Sequence, residues 1–436
     1  MLRHYLTMTL RSFARHKLYS LINLIGLTVA LTCVIFVILF VRFELSYDEW
    51  IPGTHDLYRV ESTLRLPGRA PFGIAATPYP LGVAMRDQVP GVTGMTHLYQ
   101  APLTLTHGDR QFLEETVDFV DSNFFSLIRL PFIEGDPASA LSQPQSVVLS
   151  EATARQYFGS GDPMGRTLTT NVGSCPTEDT SCRGETVSLR VTGIVRDLPQ
   201  NTQLSGNVFI PTTSMADPDS SDARQQWMEG DLFTYIALAP RVTPAAVLAA
   251  TPSVLDRDAT GQMRASGFPM RASQFYTIHL TPFSQVHLSS SRWIGNLTPA
   301  GSRSTIYGVI IVGVLILLLA CFNFTNLSTA RASLRVREVG LRKTLGATRK
   351  QLATQFLGEA VLLALLSLVC AAAVVEILLP VLNSFLHQSI ARNYTSDWKL
   401  DGARRNSDRG RFAQRDLSGA ALVEAPSGCC AAAGSR

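Results

Sequence analysis

The sequence predicts a membrane protein, an α-helical transmembrane bundle with a large α+β domain outside the membrane between its first and second spans. Three observations predict it: long apolar runs, basic residues beside those runs, and roughly 260 residues of mixed polarity between the first two, enough for a folded core. Hydrophobic residues make up 46% of the chain and the mean hydropathy is +0.15, too high for a typical soluble protein and too low for one mostly in lipid. The net charge of +4 is too small to indicate nucleic-acid binding.

Three apolar runs are long enough to cross a membrane: Leu18 to Val41, Ile306 to Ser328 and Ala360 to Leu382. The first two carry no charged residue, and the third is interrupted only by Glu376 and Pro380. About 20 apolar residues in a helix cross roughly 30 Å of hydrocarbon, and helices of globular proteins rarely stay apolar all round for that length. The predicted transmembrane helices are therefore 18–42, 306–328 and 351–383.

Basic residues set the orientation of these spans. No acid occurs before the first run, and its basic residues are Arg3, Arg11, Arg15 and Lys17. The second run is followed by one acid, Glu338, and by Arg331, Arg335, Arg337, Arg342, Lys343, Arg349 and Lys350. Short segments with such an excess stay in the cytoplasm. We therefore expect a basic amphipathic segment at 1–17 and the segment 329–350 inside, and residues 43–305 outside.

The first run also resembles a signal peptide in its position. It is too long for a typical apolar signal core, and Arg42-Phe43-Glu44-Leu45 offers no small-residue cleavage site. An uncleaved signal anchor is the favoured interpretation.

Local patterns in the external segment indicate both strands and helices. Residues 186–195 show the partial alternation of a strand. Residues 150–158 resemble a short helix that Ser150 caps and Gly159 ends. The segment is therefore predicted to fold as an α+β domain.

The cysteines fit this topology. Cys33, Cys321 and Cys370 lie within the apolar runs, where they behave as small apolar residues. Cys175 and Cys182 lie in a polar part of the external segment. A disulfide between them suits an oxidising periplasm and is favoured over two free thiols, and a metal site would need two further ligands.

Catalytic motifs are absent from the sequence. Its eight histidines form no His-Glu-x-x-His, and it has neither a nucleophile-elbow motif nor a phosphate-binding loop for ATP. Pairs such as Glu114-Glu115 are more typical of a solvated face than of a catalytic dyad. We expect no enzyme activity, no metal and no cofactor in this chain.

The stretch after the second run has the pattern of a short amphipathic helix at the cytoplasmic surface. It carries a charged stripe and an apolar stripe: Arg331, Arg335, Glu338 and Arg342, then Leu334, Leu341 and Leu345. Gly346 is expected to end this helix, and Thr348 with Gln351 forms a capping-box start for the next. Anionic lipid would explain the arginines equally well as a protein partner would.

Residues 337–348 resemble the Glu-Val-Gly-Ile-Arg-Lys-x-Leu-Gly-Ala motif of FtsX-like permease domains. Further stretches resemble the MacB-like periplasmic core domain: 43–48, 57–60, 147–159, 162–165 and 191–199. The ordered resemblances extend over residues 1 to about 390 and indicate a MacB/FtsX-like ABC transporter permease.

The resemblance implies a permease that dimerises, with itself or with a second permease, and binds a separate cytoplasmic ABC ATPase that holds the ATP. It also implies contact with a periplasmic adaptor and location in the bacterial inner membrane. The implied ATPase interface consists of Arg337, Glu338, Gly340, Arg342, Lys343, Gly346 and Ala347. The implied functions are export of peptides or antibiotics, or lipoprotein release. The alternative function is FtsX-like signalling to periplasmic enzymes.

The C-terminal segment departs from the family pattern, which has a fourth span with an Ala-Gly-x-Tyr-Pro-Ala signature. Residues 384–436 are instead polar and basic, as in a disordered tail. We favour a frameshift near residue 400, because one possible coding of residues 416–420 gives Ile-Tyr-Pro-Ala one base later. That hypothesis implies a product of doubtful function; a natural unstructured tail is the alternative, and the DNA sequence decides between them.

Overall fold

The computed structural model describes residues 17–108, 110–172, 185–215, 225–334, 340, 344 and 348–386. The chain divides into two compact units. One comprises Met1–Phe43 and Ser304–Arg436, and the other comprises Glu44–Arg303.

The elements are numbered along the chain. The helices are α1 (Lys17–Leu45), α2 (Tyr79–Gln88), α3 (Phe124–Leu127), α4 (Glu151–Phe158), α5 (Pro244–Asp258), α6 (Thr260–Ala265), α7 (Ala272–Phe275), α8 (Val286–Ser289), α9 (Arg303–Leu334) and α10 (Arg349–Leu386). The strands are β1 (Leu57–Leu64), β2 (Phe72–Ile74), β3 (Val92–His107), β4 (Arg110–Val120), β5 (Phe132–Glu134), β6 (Ser146–Ser150), β7 (Thr167–Val172), β8 (Glu185–Val195), β9 (Val208–Pro211), β10 (Phe233–Leu238) and β11 (Tyr276–Pro282).

The three predicted spans are confirmed as helices. Apolar segments long enough to cross a membrane are Ser20–Leu45 in α1, Arg303–Ala330 in α9 and Phe356–Ser384 in α10. Helix α9 continues beyond its span to Leu334, and α10 begins directly after Thr348. The residues in these helices are apolar for about the length that a bilayer requires.

Small residues allow close helix packing within the membrane unit. A side-chain carbon at Gly313 would lie 3.2 Å from Val37 of α1, so glycine lets α9 approach α1 closely.

One face of α10 is buried at four-residue intervals: Leu363, Ser367, Ala371, Val375 and Leu379. Residues four apart lie on one face of a helix, and rows of side chains with this spacing are the ones that pack against neighbouring helices in bundles.

In the described part of the external unit, one mixed sheet contains eleven strands. The strand order is β11-β1-β10-β3-β4-β9-β6-β8-β5, with β2 beside β1 and with β7 paired to both β3 and β8. Two pairs, β4–β9 and β6–β8, are parallel, and the other recorded pairs are antiparallel. Together with helices such as α2 and α5, this sheet confirms the predicted α+β class.

Three buried clusters stabilise this unit. The first joins α2 and α5 to β1, β10 and β11, with Met85, Val247 and Ile236 at its centre. The second surrounds the aromatic residues Phe124 and Phe209. The third lies beneath α4 and includes residues of β6 and β8. Burial of such side chains stabilises a fold by roughly 1.5–3 kcal/mol each.

The two local predictions for this unit are confirmed. Strand β8 covers residues 186–195, and its alternation is visible as buried Leu189 and Val191 on either side of exposed Arg190. Helix α4 begins after Ser150, whose side-chain oxygen accepts a hydrogen bond from the Thr153 amide at 3.3 Å. The helix ends at Gly159, where φ is 65°.

Replacing Ser150 with Ala is expected to lower the free energy of unfolding by about 1 kcal/mol, because the Thr153 amide loses its acceptor. Urea unfolding of the full chain in detergent measures the change through the fluorescence of Trp50, Trp227 and Trp293. The exposed Ser126, for which we expect a change below about 0.5 kcal/mol on replacement with Ala, is the matched control. Equal effects of both replacements would contradict the capping role.

Candidate functional site at the junction of entering and leaving chain

The chain enters and leaves the external unit through two neighbouring strands. Strand β1 is the first strand after the first span, and β11 is the last strand before the second. They pair antiparallel from Tyr58 opposite Pro282 to Leu64 opposite Tyr276. Backbone hydrogen bonds therefore join the two connecting parts of the chain directly.

A buried hydrogen-bonded pair of side chains lies where these connecting parts meet. We call Glu44, Tyr47, Asp48, Asn201 and His287 the junction cluster. His287 Nε2 lies 2.9 Å from Glu44 Oε2, and the two side chains are 4% and 8% exposed. The His287 ring stacks on Tyr47 with centroids 3.4 Å apart and planes 4° apart. The imidazole is thus held by its hydrogen bond with Glu44 and by stacking on the Tyr47 ring.

Asp48 anchors the same cluster to a distant loop. Its backbone is left-handed, with φ 59°, and its amide donates to the Asn201 carbonyl at 3.0 Å. Its Oδ1 accepts hydrogen bonds from Thr202 Oγ1 at 2.6 Å and from the Gln203 amide at 3.0 Å. Burial raises the pKa of Asp48 to about 6, although these hydrogen bonds act in the opposite direction.

Tyr47 shares this environment. Burial, and then the charges of Glu44 and Asp48, raises the pKa of its phenol to about 12. Ionisation of the phenol would add a negative charge beside two carboxylates, so Tyr47 stays neutral throughout the physiological range.

Gly301 completes the link to the second span. Its amide donates to the His287 carbonyl at 3.1 Å, and a side-chain carbon at this position would lie 2.4 Å from His287 Nε2. A larger residue would displace the imidazole, so glycine permits this close approach. Glu44, His287 and Gly301 thereby connect the end of α1 to the segment that precedes α9.

A buried ion pair, Arg59 with Glu61, links the strands themselves. Arg59 Nε donates to Glu61 Oε1 at 2.8 Å, and the two side chains are 1% and 0% exposed. Arg59 Nη2 also donates to Asn296 Oδ1 at 3.1 Å, and Thr281 Oγ1 donates to Glu61 Oε2. Burial raises the pKa of Glu61, and the Arg59 charge opposes that rise.

The residues of these two buried pairs were not predicted as site residues. The spacing of Arg59 and Glu61, two residues apart in a strand, places both on one face and could have suggested a pair. No local pattern links Glu44 to His287, because 243 positions separate them.

Most of the predicted interface residues lie outside the described residues: Arg337, Glu338, Arg342, Lys343, Gly346 and Ala347. Gly340 is described, and it is helical and exposed. Cys175 and Cys182 also lie outside the described residues, so their disulfide stays a prediction. Within the described ranges, no group of three or more His, Cys, Asp or Glu residues could hold a metal ion.

The family assignment follows from two sequence matches. The MacB-like periplasmic core domain matches residues 20–254, and the FtsX-like permease C-terminal domain matches residues 310–402. The first match covers more than half of the chain. The chain belongs to the MacB-like family. This MacB-like chain is thus a membrane protein of the ABC permease type with a periplasmic-type domain, as its sequence motifs predicted.

The solved structures similar to this MacB-like chain include three permease or transporter domains. A permease domain from Porphyromonas gingivalis is 21% identical with a TM-score of 0.42, and the match covers 54% of this chain and 93% of that one. The periplasmic region of MacB from Actinobacillus actinomycetemcomitans is 13% identical, with a TM-score of 0.34 and coverages of 55% and 94%. The extracellular domain of the noncanonic ABC-type transporter YknZ from Gram-positive bacteria is 12% identical, with a TM-score of 0.31 and coverages of 51% and 99%. No curated protein matches the chain.

Proposed function

We propose that this chain is the permease subunit of an ABC transporter in the bacterial inner membrane. A separate cytoplasmic ATPase binds and hydrolyses ATP, and the permease converts the ATPase movement into movement of its periplasmic domain. The substrates proposed are peptides, antibiotics or lipoproteins released from the membrane. Two permease subunits and a periplasmic adaptor complete the proposed assembly.

The observation that supports this mechanism is the pairing of β1 with β11. Either connecting segment, when displaced, pulls on β1 or on β11. Because these two strands are joined to each other by backbone hydrogen bonds, we expect the sheet to move as one rigid body. The Glu44–His287 and Arg59–Glu61 pairs make this connection stiff because separating either pair would leave a buried charge without its partner. A flexible tether would absorb the same displacement without passing it on.

On the cytoplasmic side, we propose that the ATPase binds at Arg337, Glu338, Gly340, Arg342, Lys343, Gly346 and Ala347. Arginine presents a planar fork of donors that suits acidic partner residues, and glycine allows close backbone approach. The sequence places this stretch between α9 and α10, so force applied there acts on both helices.

Replacing His287 with Ala is expected to uncouple the periplasmic domain while leaving the ATPase bound. The replacement removes the link between Glu44 and Gly301 but lies far along the chain from the ATPase interface. The measurement is hydrogen–deuterium exchange of β1 and β11 amides in the ATPase complex, with and without ATP and vanadate. We expect a nucleotide-dependent change in the wild-type chain and its loss in the variant.

His55 is the matched control, because its side chain is 79% exposed. Its replacement with Ala should leave the nucleotide response intact. A wild-type domain whose exchange does not respond to nucleotide would overturn the proposed mechanism. A normal response in the His287 variant would overturn the role of the junction cluster.

A further inference from the structure

A short polar segment, residues 201–206, connects distant parts of the external unit. At its start, Asn201 Nδ2 donates to the Ser46 carbonyl at 3.0 Å, beside Asp48. In its middle, Gln203 Nε2 donates to the Phe283 carbonyl at 3.3 Å, in the segment that follows β11. The 201–206 segment therefore contacts chain that has just left the first span and chain that leads to the second.

The other end of the segment packs on a second buried carboxyl group, that of Asp118 in β4. Asp118 Oδ1 accepts from Gln100 Nε2 at 2.6 Å, and the same amide group donates to Ser205 Oγ at 2.9 Å. Gly206 lies against this carboxyl group so closely that a side-chain carbon would be 2.2 Å from Oδ2. The segment is thus held between Asp48 and Asp118.

Hydrogen bonding is incomplete in the same way at the carboxyl groups of Asp48 and Asp118. Each has one oxygen that accepts hydrogen bonds, while Oδ2 of each is buried without a partner among the described residues. A buried, ionised carboxylate with an oxygen that receives no hydrogen bond carries a large desolvation penalty, and protonation removes most of it.

The surrounding charges relieve this penalty only in part, because His287 lowers the pKa of Asp48 less than burial raises it. The charged and titratable neighbours of Asp48 are Tyr47, Glu44 and His287, and His287 already pairs with Glu44. The groups that lower the pKa of Asp118 are neutral, the Gln100 side chain and the Gly206 backbone, and burial raises this pKa by more than they lower it.

The charges of Asp48, Asp118 and Glu61 raise the pKa of the Tyr235 phenol, and the charge of Arg59, which pairs with Glu61, lowers it.

We propose that residues 201–206 form a proton-dependent clasp, held firmly when Asp48 and Asp118 are protonated and loosened when they ionise. The clasp makes the stiffness of the junction depend on the pH outside the membrane. The inference concerns the external unit alone and does not depend on ATPase binding.

The direction of the effect follows from burial. Burial raises the pKa of Asp48 to about 6 and that of Asp118 to about 7, both above the value of about 3.9 expected in an unfolded chain. Because the folded state holds these protons more tightly, the stability they contribute is fully present below the unfolded value. It declines as pH rises and is lost once pH passes the folded values. The clasp should therefore loosen between about pH 4 and pH 7.

Hydrogen–deuterium exchange of the full chain in detergent tests this inference. Protection factors for the amides of 201–206, corrected for intrinsic exchange rates, are compared at acidic and mildly alkaline pH. We expect protection to fall roughly tenfold or more between about pH 5.5 and pH 8, and Asp118→Asn to remove a large part of that fall. Asp48→Asn should act likewise, since asparagine tolerates the left-handed backbone at this position.

Asp87→Asn is the control, because Asp87 is an exposed carboxylate and should leave the pH response unchanged. Infrared difference spectra of the wild-type chain between the same two pH values provide a second measurement that needs no variant. They should contain the carbonyl band of a carboxylic acid that loses its proton, and that band should weaken in Asp118→Asn. The proposal would be overturned if the amides of 201–206 had equal protection factors at both pH values. It would also be overturned if Asp118→Asn had the same pH response as the wild-type chain. Absence of the carboxylic-acid band would overturn it as well.

Discussion

Replacing Arg342 with Glu is expected to abolish recovery of the proposed ABC ATPase, which we expect to co-purify with the wild-type chain. The arginine guanidinium can donate several hydrogen bonds to acidic residues of the partner, whereas a glutamate carboxylate would be repelled by them. Like charges brought together at an interface cost several kcal/mol, which is enough to reduce affinity a thousandfold or more. Affinity purification in mild detergent followed by mass spectrometry measures the recovered ATPase.

Lys350→Glu is the matched control, because it makes the same change in net charge a few residues beyond the proposed interface. Recovery that survives Lys350→Glu but not Arg342→Glu places the contact at the interface stretch. Equal loss in both variants would point to general attraction between a basic surface and its partner. Normal recovery with Arg342→Glu would remove this residue from the interface.

Replacing Arg59 with Met is expected to lower the free energy of unfolding of the external unit by about 3–5 kcal/mol. Methionine fills a similar volume, but Glu61 then remains buried without its cation. Because the pKa of Glu61 is already raised, the loss should shrink at acidic pH, where Glu61 takes up a proton. Urea unfolding followed by tryptophan fluorescence, at neutral and acidic pH, measures both effects.

The double variant Arg59→Met with Glu61→Leu separates charge from packing. Replacing both partners of a buried ion pair with apolar residues is often neutral or stabilising, so much of the wild-type stability should return. A double variant that is as unstable as Arg59→Met alone would mean that shape, and not the unpaired charge, causes the loss.

Some features of this fold were predictable from sequence because they depend on local properties. A membrane span is set by apolar length, and Leu18 to Val41 meets that condition without reference to the rest of the chain. Helix α4 was predictable for the same reason, since Ser150 and Gly159 act within a few residues of themselves.

The contacts of the junction cluster could not be predicted from the sequence, because they join residues that are far apart along the chain. Strands β1 and β11 are more than two hundred positions apart, and many alternative pairings satisfy the same strand pattern. Asp118 looks like any acid in a strand, and its burial arises only when β3, β4 and the 201–206 segment come together. The ATPase interface, in contrast, was proposed from motif resemblance and awaits the Arg342 experiment.

The meeting of Glu44, His287 and Gly301 also bears on how such a protein can change through evolution. The two ends of the external unit lie side by side, so the unit is inserted into the membrane frame as a cassette with neighbouring ends. Insertions with adjacent ends disturb the host fold least. Strands and loops far from these ends can therefore diverge or be exchanged between related proteins while the membrane-spanning part of the chain is kept.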